Sequence, residues 1–419
     1  MKILIPSCRS PHALAAIRSF AAKGFEVTAA DCTRLSPGLY SRGASRRFLY
    51  PSATEKPAEF ADAMVAELDR GKYDLLFPTF EEIFLFSRIR DRIPASVKHL
   101  VPEYGRMMAV HNKASLAGLC AKHEIPTPGT WSPQSREECE RLASEVEYPV
   151  VIKLTEGNNS TGLTYADNAA ELIAKWTKLT DFFGLQPGGM PLIQKKVPGP
   201  LIYSLFLADH GEVVGALIYK PIRMFPDSGG TAFYRESIRH PAAEEFSREF
   251  IKALDWHGFI GFDFIDDPQT RVPLLIDVNP RPNPAYNLGL ASGVDFTQMF
   301  VDMALGRKPA ANPAPKPGVR TKFLFSEMIW FAFQFAPGRG YFKRVKDAMT
   351  VFQKREFNPD YYLAGDLKPS LVLILYVHYF MFIINTIKPK KGGFMFGCNY
   401  DRALADRTLS SGAGSGNAG

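Results

Sequence analysis

Six polar residues stand where their types and spacing suit the handling of a phosphate chain. Lys113 opens a stretch with helical spacing. Lys153 closes the apolar strand predicted over 148–153 and leads into Leu154-Thr155-Glu156-Gly157-Asn158-Asn159-Ser160-Thr161-Gly162. A strand, a lysine and a loop of small residues can close over phosphates, with backbone N–H donors and ammonium charge neutralising them. Asp263 sits in GFDFI, and Asp277 and Asn279 sit in LLIDVNPRP. Side chains at alternate strand positions point the same way, so Asp277 and Asn279 share a face, and hairpin pairing brings Asp263 beside them. Two carboxylates and an amide oxygen, with no His or Cys, suit a hard cation such as Mg²⁺ (Mn²⁺ is the other choice) held against phosphates. Burying those carboxylates among Leu274, Leu275, Ile276 and Val278 would be costly without a partner. Arg281 is expected to keep the face of Asn279 and to clamp a transferring phosphoryl group.

Two further stretches have chemical uses of their own. Leu192-Ile193-Gln194-Lys195-Lys196-Val197-Pro198-Gly199 reads as a strand edge and a break, offering backbone groups and a side chain to an adenine. Lys220, Arg223 and Ser228-Gly229-Gly230-Thr231, followed by Tyr234-Arg235, could hold a carboxylate substrate; Glu81 and Glu82 could hold an amine.

The elements that must position these residues follow from periodicity. Strands over 2–6, 25–30 and 73–77 alternate with helices over 12–23 and 60–68, which predicts a parallel sheet wrapped by helices. The first strand-to-helix turn, Ser7-Cys8-Arg9-Ser10, has no GxGxxG, so the Rossmann-like pattern does not imply NAD. From 106 the pattern becomes α+β: helices over 112–124, 169–179 and 243–256, and strands over 148–153, 192–196, 201–208, 212–220, 260–265 and 273–278. An Asp209-His210-Gly211 turn joins two of these strands.

The order of two lysines, a small-residue loop, a hinge and D…DVNPRP resembles the ATP-grasp superfamily of carboxylate–amine ligases over roughly 2–306, with DVNPRP the most specific piece. FPTFEE (Phe77–Glu82) is similar to carbamoyl-phosphate-synthase-like members. The resemblance implies a pre-ATP-grasp Rossmann-like domain over 1–105, a small lobe over 106–190 and a large lobe over 191–310. It assigns Lys113, Lys153, Gly157, Ser160, Thr161 and Gly162 to ATP phosphates and a mobile lid, and Gln194, Lys195 and Val197 to the adenine pocket. It assigns Asp263, Asp277 and Asn279 to Mg²⁺ and Arg281 and Lys153 to the reacting groups, to which Arg223 is added as a catalytic candidate from the substrate-holding stretch. The implied reaction activates a small-molecule carboxylate with ATP and joins it to an amine. Two departures stand out: the hinge reads Gln194-Lys195-Lys196 instead of Gln-Glu-aromatic, and Pro200-Leu201 replaces the acidic ribose contact.

Lys308–Pro317 reads as a linker to a hydrophobic, basic helical extension over 311–409, and 410–419 reads as a disordered tail. The extension's layout is similar to that of mycosporine-biosynthesis members of the superfamily, which leaves open transfer of an amino acid to an enol or hydroxyl. Leu371–Ile387 is nearly unbroken apolar; as a helix it would span about 25 Å, short of a bilayer's hydrocarbon core of about 30 Å. With Phe323–Phe335 and nearby Lys343, Arg344, Lys346, Lys388, Lys390 and Lys391, it suits peripheral membrane contact through 320–391. A helical appendix packed on the body, a homodimer contact and a non-catalytic ATP-binding protein are the other readings. The 419 residues suggest about three domains, and 46% hydrophobic residues exclude a disordered chain. A net charge of +7 suits anionic ligands or an anionic membrane without requiring nucleic acid. The five cysteines (Cys8, Cys32, Cys120, Cys139 and Cys398) have no zinc spacing and read as buried small hydrophobes. MKILIPSC has no long apolar core or cleavage site, so the cytoplasm, at the inner membrane face if the tail anchors there, is the expected location.

Overall fold

The computed structural model of the chain is described over residues 1–157, 162–225, 231–310, 314–335, 341–352, 356–378, 400 and 402–411. The N-terminal strands β1 (Lys2–Ile5), β2 (Glu26–Asp31), β3 (Arg46–Leu49) and β4 (Leu75–Leu76) form a parallel sheet in the order β3-β2-β1-β4. Their pattern of buried apolar strands joined through helices is what a parallel sheet covered on its faces requires. The pattern does not predict β3, because RRFL is largely exposed and carries no alternation.

A second, antiparallel sheet holds β5 (Thr130–Trp131), β6 (Val150–Lys153), β7 (Thr164–Ala166) and β8 (Leu192–Lys195) in the order β5-β8-β6-β7. The helices Arg136–Glu145 and Ala169–Phe183 pack on it around the buried Trp176.

The third sheet is the largest. It contains β9 (Leu201–Asp209), β10 (Glu212–Phe225), β11 (Thr231–Ser237), β12 (Gly258–Asp266), β13 (Pro273–Asn279), β14 (Arg320–Lys322) and β15 (Asn358–Pro359). They stand in the order β13-β12-β9-β10-β11-β14-β15, antiparallel except for β14 with β15. The last two strands come from the stretch whose pattern predicts helices alone. That stretch also supplies the helices Leu324–Gln334, Tyr341–Ala348, Lys368–His378 and Arg402–Ser411. It is tied to the body: the Tyr361 hydroxyl donates to the Arg9 carbonyl at 2.7 Å, and Arg18 reaches Asp366 at 3.0 Å.

The first and third sheets share hydrophobic cores. One runs from Phe60 and Phe84 to Phe250 and Phe262; the other gathers Phe20, Phe77, Phe259 and Phe300, with the Phe77 and Phe300 rings 4.6 Å apart. Each buried phenyl contributes about 2–3 kcal/mol, whereas a half-exposed pair such as Lys23–Asp295 contributes about 0–1 kcal/mol. The shared core therefore fixes residues 77–84 against the third sheet, and it is this packing that brings Glu81 to the site. Cys8, Cys120 and Cys139 are buried as the composition suggests, Cys32 is partly exposed, and Cys398 lies outside the described residues.

Candidate active site

Lys113 is the first residue of the helix Lys113–Lys122, whose N-cap Asn112 accepts the Ala114 and Ser115 N–H groups. The same Asn112 donates to Glu156 at 3.0 Å, and the Lys113 N–H bonds the Thr155 carbonyl at 2.8 Å, so the helix start is stitched to the segment after β6. Lys153 ends β6 and is held by the Gln194 side-chain oxygen at 2.7 Å. Burial pushes the Lys153 ammonium down to about 8, with Asp277 and Asp263 pulling the other way and Lys113 adding to the fall.

The acidic hairpin forms as its spacing predicts. In the β12–β13 register Asp263 stands opposite Asp277, and Gly261 opposite Asn279. A register shift beside Asp263 inserts Ile276 as an extra residue, so Ile276 and Asp277 both line the cavity. Such a bulge re-aims a side chain where strict alternation would not. Burial, and then the Asp277 charge, push the Asp263 carboxyl up to about 8. Two carboxylates side by side cannot both ionise cheaply without a cation. The Lys113 ammonium supplies one positive charge, 3.2 Å from Asp277. Asp263, Asp277 and Asn279 thus form an all-oxygen set beside the buried Asp263 carboxyl, and the residues present fit a hard divalent cation such as Mg²⁺.

These groups line one cavity of about 700 Å³, within the usual range for small-molecule sites. At one end it is apolar, with Val151, Leu201, Ile265 and Ile276 beside the Gln194–Val197 strand edge. Gly199 closes that end, and a Cβ built there would lie 1.9 Å from the Asp266 carbonyl oxygen, so the turn requires glycine. Of the hinge residues, Gln194 is spent bracing Lys153 and Thr130, while Lys195 reaches out to Glu147 at 2.6 Å. Gly157 lines the cavity and accepts from Lys113 at 3.4 Å. Gly162, at φ +68, packs against Leu154 and does not line the cavity; Ser160 and Thr161 lie outside the described residues.

The other end holds two buried arginines. Arg281 does not continue the strand as its spacing suggests. β13 ends at Asn279, the Arg281 N–H turns back to the Asn279 carbonyl at 2.8 Å, and its guanidinium lies over the Phe80 ring while Nε donates to Glu81 at 2.9 Å. Glu81 is therefore paired with Arg281, and Glu82 is buried and paired with Arg9 at 2.7 Å, so both carboxylates already face an arginine.

Arg223 does not reach the cavity. Ile222 is an extra residue between the pairs Pro221–Arg235 and Arg223–Tyr234; proline cannot donate to the ladder, and a bulge follows. The bulge turns Arg223 to the face of Tyr234, where it pairs with Glu327 and packs over Trp330. Arg235 takes the place on the cavity face that the spacing offers to either arginine. It is 1% exposed, its Nε donates to Thr321 at 3.2 Å and its Nη2 pairs with Asp360. Asp360 in turn accepts from Asn287 at 3.1 Å. Tyr203 and Tyr219, paired across β9 and β10 with rings 5.5 Å apart, complete this end. Sequence reasoning does not find Asp360, Thr321 or the two tyrosines. No local motif marks them, and only the third sheet brings them together.

The lysine–aspartate cavity between two antiparallel sheets is the arrangement that the DVNPRP resemblance predicts. Part of the chain, residues 207–325, is similar to the ATP-grasp family. The family model that it matches is described as "ATP-grasp in the biosynthetic pathway with Ter operon". The large chain of carbamoyl phosphate synthase from Pyrococcus furiosus is 30% identical over 217 residues, which is 50% of this chain and 20% of that one. A D-alanine–D-alanine ligase from Stutzerimonas stutzeri is 23% identical over 203 residues, covering 45% of this chain and 62% of that one. The chain thus matches less than two thirds of either relative's length. Biotin carboxylase from Campylobacter jejuni shares the fold, with a TM-score of 0.63 at 19% identity over 76% of this chain and 74% of the other.

Proposed function

We propose that this chain is an ATP-dependent ligase that activates a small-molecule carboxylate as an acyl phosphate and joins it to an amine. The observation that carries the reading is the convergence of Lys113, Lys153, Asp263 and Asp277, from four separate elements, on a cavity with an apolar end and an arginine-lined end. The adenine lies at the apolar end, against Val151, Ile265 and Ile276, and Lys113 and Lys153 take the phosphates. Mg²⁺, held by Asp263, Asp277 and Asn279, would neutralise charge on the phosphate oxygens. A substrate carboxylate oxygen attacks the γ-phosphorus, the bond to the β-phosphate oxygen breaks, and ADP leaves. The amine then attacks the acyl carbon, phosphate leaves with the electron pair and the amine nitrogen loses a proton. Arg281, fixed by Glu81 and Phe80, offers guanidinium N–H groups to the charge of the transferring group. Arg235, fixed by Asp360 and Thr321, keeps Nη1 for the anionic part of the substrate at the far end. ADP release assayed over a panel of carboxylates with and without amines tests the reading, and the absence of any substrate-stimulated ADP release would overturn it.

The chain's place of work is a separate matter, and one observation bears on it. Leu324, Met328, Phe333, Phe342, Leu371, Ile374 and Leu375 are exposed on three C-terminal helices, and Lys343 and Lys346 are exposed beside Phe342. Apolar side chains flanked by lysines support peripheral contact with an anionic membrane surface. No helix among the described residues is long and apolar enough to cross a membrane. Of Leu371–Ile387, residues 371–378 are helical and the rest, with Lys388, Lys390 and Lys391, lies outside the described residues. Co-sedimentation with phosphatidylserine vesicles, lost in Phe342→Ser, is the expected result; equal recovery of both proteins would remove the reading.

A further inference from the structure

We propose that the tip of the β9–β10 hairpin and the turn before β12 form a second metal site, in which Asp209, His210 and His257 bind one divalent ion of the Zn²⁺, Ni²⁺ or Cu²⁺ kind. The placement follows from strand register. Ala208 pairs with Gly258, so one step outward Asp209 faces His257, and Asp209 Oδ1 lies 3.0 Å from His257 Nδ1. Asp209 also pairs with Glu212, which leaves His210 and Gly211 as a two-residue turn at φ +44 and +82, the left-handed pair that a tight hairpin of this kind demands. That turn lays the His210 ring on the His257 ring, with centroids 4.6 Å apart and planes at 28°. A ligand atom from each of the three residues lies within 4.8 Å of the other two. Ligands held about 2.0–2.2 Å from one metal stand roughly 3–3.5 Å apart, so small side-chain rotations close the set.

The backbone beneath is held firmly. The Gly211 N–H bonds the Trp256 carbonyl at 2.9 Å, which clamps the hairpin tip to the turn. Arg106 bonds the carbonyls of Leu254 and Asp255 at 3.1 and 2.7 Å and pins that turn from outside. The Asp209 carboxylate orients the His257 imidazole from the side. His210, 71% exposed in its side chain, leaves the outer face of the set open for water or a further ligand. Two imidazoles and a carboxylate favour borderline metals over Mg²⁺, whereas the cavity's all-oxygen set has the reverse preference. The two sites therefore take different ions.

The test is calorimetric titration of the full chain with ZnCl₂, repeated with NiCl₂, in excess Mg²⁺. One Zn²⁺ per chain is expected in the wild type, weakened at least about tenfold in His257→Gln and in Asp209→Asn. His210→Asn is the variant least exposed to misfolding, because asparagine tolerates the left-handed backbone; it should lose affinity likewise while its circular dichroism stays unchanged. No Zn²⁺ bound by the wild type, or equal binding by wild type and the His210→Asn and His257→Gln variants, would overturn the proposal. Neither outcome touches the ligase reading, which is scored by ADP release.

Discussion

The two ends of β9 carry clusters of ionisable groups shaped by the same force acting in opposite directions. Near Leu201, burial lifts the Asp263 carboxyl to about 8; near Asp209, burial and a neighbouring ring lower the His257 imidazole. In both places desolvation favours the neutral form. Crowded carboxylates then want a hard cation to ionise, while a neutral imidazole is already a ligand for a softer one. Six residue steps along the strand, from Tyr203 opposite Asp263 to Asp209 opposite His257, put the clusters about 20 Å apart. The chemistry of each end is set by which groups are buried together, since the scaffold between them is one strand.

The largest effect should come from breaking the cavity end. Lys153→Ala and Asp277→Ala are each expected to lower ADP release by about a thousandfold with unchanged circular dichroism. The first removes the phosphate contact braced by Gln194; the second leaves Lys113 without its partner. Full activity in either variant would dismantle the site.

A smaller effect separates the two ends of the cavity itself. Asp360→Asn is expected to raise the KM for the carboxylate substrate about tenfold, through Arg235, while the KM for ATP stays within about twofold. If both constants moved together, Asp360 would be holding the fold and not the substrate end.

The contrast along β9 is sharpened by a crossed measurement. His257→Gln should leave Mg²⁺-dependent ADP release within about twofold of wild type, because the hairpin tip contributes no side chain to the cavity walls. A large loss there would mean that the two clusters are coupled.

The mildest effect is on acid stability. His12 and His111 are buried behind the cavity and held neutral, each lowered to about 3, first by burial and then by Arg281 for His12 and by Lys113 and Arg281 for His111. Since the unfolded imidazole titrates near 6.5, stability is whole above that pH. It falls by up to about 1.4 kcal/mol per pH unit for each histidine as the pH drops toward 3. Melting curves of wild type and His12→Gln between pH 7 and pH 4 check this. The variant should lose stability less steeply, and parallel curves would contradict the assignment.

Much of the cavity's working face is legible in the amino-acid order. Lys113, Lys153, Asp263, Asp277 and Asn279 each sit at the end or edge of a short periodic element, and periodicity reports which way a side chain points. Where local backbone departs from regularity, the reading slips. The bulge after Pro221 turns Arg223 away and leaves Arg235 in its place, and the strand end at Asn279 swings Arg281 onto Glu81. The stretch 320–359, read from its apolar content as helical, places two of its segments at a sheet edge, where backbone groups left unpaired in β11 recruit β14 and those of β14 recruit β15.

Alone, the order of residues determined that this chain would bring ammonium groups and oxygen ligands together on a strand-and-loop framework of the ATP-grasp kind, because those signals are short-range and survive in sequence. Only the tertiary structure decided the partners: Glu81 for Arg281, Asp360 for Arg235, His257 for Asp209. Each pair is drawn from elements distant in the chain, and burial makes a charge or ligand useful only when its particular neighbour arrives with it.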